Sequence, residues 1–281
     1  MKDLNLIDIE EKIYDDLSSN YDIDQEARDY IKNPLEEIAS FGLKEKEDII
    51  SSREKAISGI KSYLLVSVIP LIKKIIDLFS HTNLYSLEKT YLSTVFFFLS
   101  PLKQHNKILA ETEEIFAELL EKEENYRAIL ELFSNIQKEQ IEMLERIDKK
   151  ILLGKSVHHQ LVENSKENSE DLSKLQGRIL QMELTKNIPL QIITKIQGAE
   201  EIVSTILSSI NENLAPDFAL YISNYKEILI AVKQKKERDN LKTLITLYQN
   251  ILRDIRKLEI LDEDLEEKFQ DLKDSIPLLL K

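Results

Sequence analysis

Hydrophobic positions recur at helical spacing along most of the chain, and the longest run lies in its middle. Seven positions between Ile129 and Ile151 step by threes and fours: Ile129, Phe133, Ile136, Gln140, Leu144, Ile147 and Ile151. Glu and Lys fill the intervening positions, a pattern typical of a coiled-coil seam with Gln140 as its polar member. It predicts a long helix over about 102–153, ended by Gly154.

A second seam lies in a stretch that is nearly free of charge. Residues 188–210 hold only Lys195, Glu200 and Glu201 as charged residues in a chain that is 32% charged. Apolar positions recur at alternating steps of four and three: Ile192, Ile196, Ala199, Val203, Ile206 and Ile210. The stretch predicts a helix over 188–213 with Pro189 in its first turn, where no backbone N–H is needed.

The flank of this second helix is small and polar. It includes Thr194, Gln197, Gly198, Thr205 and Ser208. This composition favours a helix in the middle of a bundle, because a second neighbouring helix can approach closely over small residues. The alternative is that these five residues form a face for a protein partner or for self-association.

The first part of the chain predicts several shorter elements. A helix begins at Pro34 and ends or kinks at Gly42, and a charged helix follows through about Ser62. Residues 62–79 are apolar on nearly all sides, which predicts a buried helix kinked at the internal Pro70. A turn over 80–86 and a segment of ambiguous period over 87–101 follow.

The remaining segments also predict helices. A polar, outer helix is expected over about 156–185. The stretch 211–218 breaks the pattern, and Pro216 opens another helix. Helical periodicity then continues to about Lys273 with a break near 235–240.

Composition supports an all-α fold. The 281 residues include 5 Gly, 6 Pro, no Trp and no Cys, and 42% are hydrophobic. We therefore expect an elongated antiparallel helical bundle with long coiled-coil-like helices, formed as a single domain over 33–281. The lack of Cys excludes disulfides, thiol nucleophiles and thiolate metal sites, and fits a reducing compartment.

The net charge of −13 makes nucleic acid an unsuitable partner, because phosphate binding requires a basic face. Residues 1–29 carry ten acids against Lys2, Lys12 and Arg28. We interpret 1–32 as an acidic, partly disordered leader, with an acidic docking segment as the alternative.

Two uncharged runs, 62–72 and 90–102, are the longest in the chain and are too short to span a bilayer as helices. The N-terminus also lacks the pattern of a signal peptide. We expect a soluble cytoplasmic protein, with peripheral contact at the inner face of the membrane as an option.

In a second interpretation, 62–102 forms a hairpin that enters membranes through Phe96, Phe97 and Phe98, as in α-helical pore-forming toxins. The simpler interpretation places these three residues in the core.

Candidate chemistry is sparse. The chain contains no phosphate-binding glycine loop, zinc-protease motif or nucleophile elbow. The four histidines are His81, His105, His158 and His159, and the adjacent pair would point about 100° apart on a helix. We predict no catalytic residue, no metal site and no cofactor, and therefore a protein that is not an enzyme.

The acidic clusters at 111–114, 121–124 and 262–267 lack the spacing of a calcium loop and have no glycine at its sharp turn. We interpret them as solvated helix faces.

Three segments resemble the toxic anion resistance (TelA) family of bacterial proteins. They are "NPLEEIASFGLKEKEDIISSREKAISGIKS" (33–62), "ILELFSNIQKEQIEMLERIDKKILLGKSV" (129–157) and "LQMELTKNIPLQIITKIQGAEEIVSTILSSINENLAP" (180–216). The resemblance covers roughly 33–275, and Phe218 or Tyr221 stands near the position of the family's usual Trp. It implies a cytoplasmic, non-enzymatic helical protein that acts through protein partners in resistance to tellurite, other toxic anions or envelope stress. The resemblance supplies no catalytic residues. The alternative, from another class, is a soluble component of an α-helical pore-forming toxin.

Overall fold

The computed structural model describes residues 40–63, 67–84, 100–163, 169–233 and 241–275, and these residues are helical apart from short turns. Their α-helices are α1 (Leu43–Tyr63), α2 (Ile69–Ser80), α3 (Ser100–Glu163), α4 (Ser169–Thr185), α5 (Asn187–Ser209), α6 (Ala215–Lys233) and α7 (Leu241–Ser275). A π-helical turn, Ile210–Leu214, joins α5 to α6. No strand occurs within these five ranges. The predicted all-α helical bundle is confirmed.

The helices fall into two compact units. The first contains the described parts of 1–61, 132–198 and 270–281, and the second those of 62–131 and 199–269. Helices α3, α5 and α7 each contribute to both units. The expectation of a single domain over 33–281 stays a prediction.

Both predicted seams are confirmed. Every seam position of α3 from Ile129 to Ile151 is buried, and so is every seam position of α5 and the adjoining π turn from Ile192 to Ile210. In the first unit, Leu144 of α3 and Ile193 of α5 belong to one core cluster. The polar seam member, Gln140, is 1% exposed and donates its amide N–H to the Ser52 hydroxyl of α1 over 2.6 Å. This bond satisfies a polar group that would be costly to bury alone.

Gly154 does not end α3, contrary to the prediction. The helix continues to Glu163, and α4 begins only at Ser169, so the predicted helix over 156–185 is two elements. Gly154 is buried, and two neighbouring side chains occupy the space that a side chain at this position would need. A Cβ there would lie 2.7 Å from the Cζ atom of Phe41 and 2.9 Å from Cγ1 of Ile179. The glycine allows close approach within a helix and is not a stop signal.

Two prolines also differ from the sequence prediction. Pro70 does not kink a helix over 62–79, because α2 begins at Ile69 and Pro70 is in its first turn. Pro216 follows no break in helical structure. The Ala215 N–H donates to the Ile210 carbonyl, five residues earlier, and the chain stays helical through a π turn. In α-helical register the ring of Pro216 would collide with the carbonyl four residues before it, and the wider turn avoids this collision.

Gly42 lies in a turn directly before α1, and the helix predicted from Pro34 lies almost wholly outside the described residues. The φ of Gly42 is +74°, a left-handed conformation that glycine adopts without strain. Helix α1 starts at the next residue and ends within one residue of the predicted boundary.

Several predictions fall outside the described residues. These are the acidic leader over 1–32, the start of the helix from Pro34, the positions of Phe96, Phe97 and Phe98, and the break near 235–240.

Candidate functional site

An open groove in the first unit lies between the end of α3 and α4, and we call it the α3–α4 groove. Its volume is about 830 Å³. The lining residues are Lys155, His158, His159, Val162 and Glu163 from α3, and Ser173, Gln176, Gly177, Ile179, Leu180 and Glu183 from α4.

The walls of the groove are two helix faces with apolar side chains open to solvent. The α3 positions lie three, four, seven and eight residues after Lys155, so they share one face of that helix. Val162 is 51% exposed and Leu180 is 56% exposed, and Leu184, one turn beyond Leu180, is 64% exposed. Exposed aliphatic side chains this close to a concave surface are typical of a binding surface.

Gly154 permits close packing of α3 and α4 next to the groove. A Cβ at Gly154 would meet both Phe41 and Ile179, and Ile179 lines the groove. Ile179 is 7% exposed and forms the apolar floor. A Cβ added to Gly177 would meet no described atom within 4 Å, so the backbone of α4 is accessible at that point.

Charged pairs border the groove. The Lys155 Nζ atom lies 2.7 Å from Oε1 of Glu183 and connects α3 to α4. The His159 Nδ1 atom lies 3.5 Å from Oε1 of Glu163, which is an ion pair only when the imidazole is protonated. The border is therefore mixed in sign, and the apolar walls dominate the interior.

The five residues predicted as an interaction face are not in this groove. Thr194, Thr205 and Ser208 are exposed on α5, and Gln197 and Gly198 are partly exposed. A Cβ on Gly198 would meet no described atom within 4 Å, so the close second neighbour predicted over this flank is not present at Gly198. The hydroxyls of Thr194 and Thr205 donate to backbone carbonyls of their own helix, at Leu190 and Glu201. Whether this flank binds a partner stays a prediction.

A buried histidine in the second unit was missed by sequence reasoning. His105 is 3% exposed, and its Nδ1 atom lies 2.6 Å from the Tyr225 hydroxyl. Burial lowers the pKa of His105 and raises that of Tyr225. Tyr221, one turn before Tyr225, is fully buried, its hydroxyl has no hydrogen-bond partner among the described residues, and burial raises its pKa as well. No sequence signal pairs His105 with a tyrosine 120 positions away.

Asp262 is also buried, although the sequence pattern was interpreted as a solvated acidic face. Its two carboxylate oxygens accept hydrogen bonds from Tyr126 of α3, over 2.6 Å, and from Ser67, over 2.5 Å. The Ser67 hydroxyl oxygen in turn accepts the Ile69 N–H at the start of α2. The interpretation was wrong for Asp262 because it lies on the buried face of α7, and two hydroxyl donors offset the cost of burying its carboxylate.

Asp254 is a second buried acid of α7. Burial opposes its ionisation, but hydrogen bonds from Arg253 and Lys257 outweigh this effect and lower its pKa. The His105–Tyr225 bond connects α3 to α6 and the Tyr126–Asp262 bond connects α3 to α7, whereas the partners of Asp254 lie in its own helix.

Neither a metal site nor a membrane span is found in the part of the chain that the structure describes. No group of three or more potential metal ligands comes together there. No described helix is both long and apolar enough to cross a bilayer. Helix α2, the described part of the proposed membrane hairpin, has 12 residues and buries Leu71, Ile72, Ile75 and Phe79.

Comparisons with protein-family models, curated proteins and solved structures found no match. The TelA resemblance accordingly remains a hypothesis.

Proposed function

We propose that this protein acts by binding another protein through the α3–α4 groove, without catalysis. We further propose that its cellular role is the one implied by the TelA resemblance, which is resistance to tellurite, related toxic anions or envelope stress. The observation that carries the binding role is the open apolar groove with Val162 and Leu180 half exposed on its two walls.

The geometry of the groove suits a helical segment of a partner. Two antiparallel helix faces form a channel, and a third amphipathic helix can place its apolar positions between them. The accessible backbone at Gly177 permits close approach of that helix. The charged border can fix the orientation of a partner, while the apolar interior supplies most of the binding free energy.

The buried histidine and the two buried acids support a structural role rather than a catalytic one. His105, Asp254 and Asp262 are each bound to side chains of their own unit. These bonds satisfy polar groups inside the helical core, where an unpaired group would be costly. The burial of these three side chains is therefore explained by their contribution to stability, with no catalytic role needed.

The experiment compares tellurite tolerance in a sensitive bacterial host that expresses the wild type, a groove variant or a control. The groove variant carries Val162→Asp and Leu180→Asp. The control carries Ile230→Asp and Ile260→Asp, which are 52% and 60% exposed and lie in the second unit. We expect the wild type and the control to raise the tolerated tellurite concentration, and the groove variant to lose this effect while keeping its melting temperature.

Two results would contradict the proposal. No protection by the wild type would overturn the resistance role. Equal protection by the wild type and the groove variant would overturn the assignment of the groove as the functional surface.

A further inference from the structure

Helix α4 carries an exposed stripe on the side away from the core. The stripe consists of Ser173, Gly177, Leu180 and Leu184, and all four are exposed. Its steps of four, three and four residues are the spacing of a coiled-coil seam. A Cβ on Gly177 would meet no described atom within 4 Å. Within the described part of the chain, the stripe is therefore a seam that no helix covers at its centre.

The side chains differ in size between the two halves of the stripe. Ser173 and Gly177 occupy the first half, and Leu180 and Leu184 occupy the second. The spacing is the same in both directions, so an antiparallel copy of α4 places its Leu180 against Gly177 and its Leu184 against Ser173. A two-fold axis generates both contacts twice. A parallel copy would set leucine against leucine and leave a gap between the small residues, which close packing disfavours.

The two walls of the α3–α4 groove carry complementary side chains. The α3 wall presents Lys155, His158 and His159 before it ends in Glu163, whereas Glu183 is the charged residue of the α4 wall. In an antiparallel two-fold pair, the same flank of each α4 helix lies on the same side. Glu183 of the second copy therefore turns toward the α3 wall, where basic side chains face its carboxylate.

The level of this carboxylate along the groove follows from the packing of α3 on α4. The close approach of Gly154 and Ile179 places these two residues at the same level, so His159 lies level with position 174 of the antiparallel α4. The pairing of the two stripes brings Glu183 of the second copy to that same level. The His159 imidazole can then donate a hydrogen bond to this carboxylate.

We propose that α4 of a second copy of this chain packs antiparallel along the α4 stripe and closes the α3–α4 groove, which gives a two-fold symmetric dimer. The inference rests on the proposed function because it takes the same groove as the binding surface, and it names the partner. The stripe is only about 16 Å long, so the interface is small and the dimer should dissociate in the micromolar range.

The absence of cysteine from the chain gives a direct test of the register in the full-length protein. The test variant carries Ser173→Cys and Leu184→Cys, and each single variant is a control. The two positions are about 16 Å apart on one helix, so a disulfide between them within one chain is impossible. In the proposed pair they lie opposite each other, whereas each position lies about 16 Å from its own counterpart. The measured quantity is the rate at which a disulfide-linked dimer forms under mild oxidation.

The expected result is a covalent dimer that forms at least about tenfold faster in the double variant than in either single variant. Equal rates would overturn the inference, since they would show random encounters without a fixed register. Faster crosslinking of a single variant would also overturn it, because that result requires a parallel pair or another contact surface.

Sedimentation equilibrium tests the dimer without a crosslink. At about 100 μM, above the expected micromolar dissociation constant, the wild type should have twice the mass of a single chain. Gly177→Leu should reduce the mass to that of one chain, because the new side chain occupies the space that Leu180 of the second copy needs. The matched control is Gly198→Leu on α5, which should stay dimeric. Both glycines have no described atom within 4 Å of an added Cβ.

A wild type with the mass of one chain would overturn the inference, and so would a Gly177→Leu variant that stays dimeric. Both measurements use the purified protein, so their failure is distinguishable from a failure of tellurite protection. If the wild type were monomeric and the groove variant still lost protection, this inference alone would fail and the proposed function would stand with a different protein partner. If the dimer formed as expected but its loss left protection unchanged, the proposed function alone would fail.

Discussion

At the scale of single residues, Gly154 and Gly177 are both helical glycines with opposite surroundings. Gly154→Ala places a methyl group 2.7 Å from Phe41 and 2.9 Å from Ile179. We expect overpacking to outweigh the gain in helix propensity and to destabilise the protein by about 1–3 kcal/mol. The matched control, Gly177→Ala, meets no described atom and should stabilise by about 0.5–1 kcal/mol. Urea denaturation measures both, and equal effects of the two changes would contradict the packing described at Gly154.

Tyr126 and Tyr221 form a second matched pair. The Tyr126 hydroxyl donates to the buried Asp262 carboxylate, whereas the buried Tyr221 hydroxyl has no partner within the described part of the chain. Tyr126→Phe should lower the free energy of unfolding by about 1–3 kcal/mol, because it removes a bond to a buried acid. Tyr221→Phe should be neutral or stabilising, because it removes an unsatisfied polar group. If Tyr221→Phe were the more destabilising change in urea denaturation, the hydroxyl would have a partner.

The buried His105 predicts a pH dependence of stability. Burial places its folded-state pKa below the ordinary value of 6.5, so the unfolded chain binds the proton more readily. The free energy of unfolding should therefore fall as the pH falls below about 6.5 and level off below the folded-state pKa. Asp254, whose pKa is lowered from 3.8, contributes in the same direction only at more acidic pH.

The measurement is urea denaturation between pH 5 and pH 8 for the wild type and His105→Gln. The variant should have a flatter profile over this range because it cannot take up the proton on unfolding. If the two proteins showed parallel plots of unfolding free energy against pH, the pH dependence would come from groups other than His105.

At the scale of helices, charged substitutions test whether the seam positions form the core. Val203→Lys places a charge at a fully buried position of α5, and Thr205→Lys places the same charge two residues away on an exposed position. We expect a loss of several kcal/mol for Val203→Lys, because its charge has no partner in an apolar core, and a change within about 0.5 kcal/mol for Thr205→Lys. Equal melting temperatures for the two variants would contradict the burial of the seam.

Helical spacing was sufficient to predict the two seams, but not every helix boundary or the context of single residues. The seams from Ile129 and from Ile192 were predictable because periodicity reflects burial directly. The role of Gly154 was not predictable from the sequence, because a glycine can either end a helix or permit close packing. Its contact with Phe41 shows that Gly154 permits close packing. The burial of His105 and Asp262 depends on partners more than 100 positions away, which no local pattern encodes.

The groove was missed for the same reason. Its walls come from α3 and α4, and the sequence pattern had merged the end of α3 with α4 into one polar helix. Val162 and Leu180 then looked like isolated apolar residues on an outer surface. They lie together because α4 packs against the last described turns of α3, which the missing side chain of Gly154 permits.

At the scale of the whole molecule, the proposed interaction role and the pore-forming alternative predict different behaviour at membranes. The purified full-length protein is incubated with dye-loaded vesicles of neutral and of anionic lipid. We expect no dye release from either, because α2 buries Leu71, Ile72, Ile75 and Phe79 and these side chains are not available to a bilayer. The proposal would be contradicted if the wild type released dye, Phe97→Glu abolished the release and the control Ile260→Glu, on an exposed position of α7, did not. That result would support a membrane-entering hairpin over 62–102. Because Phe97 lies outside the described residues, this pair of variants tests a part of the chain that the groove experiments do not reach.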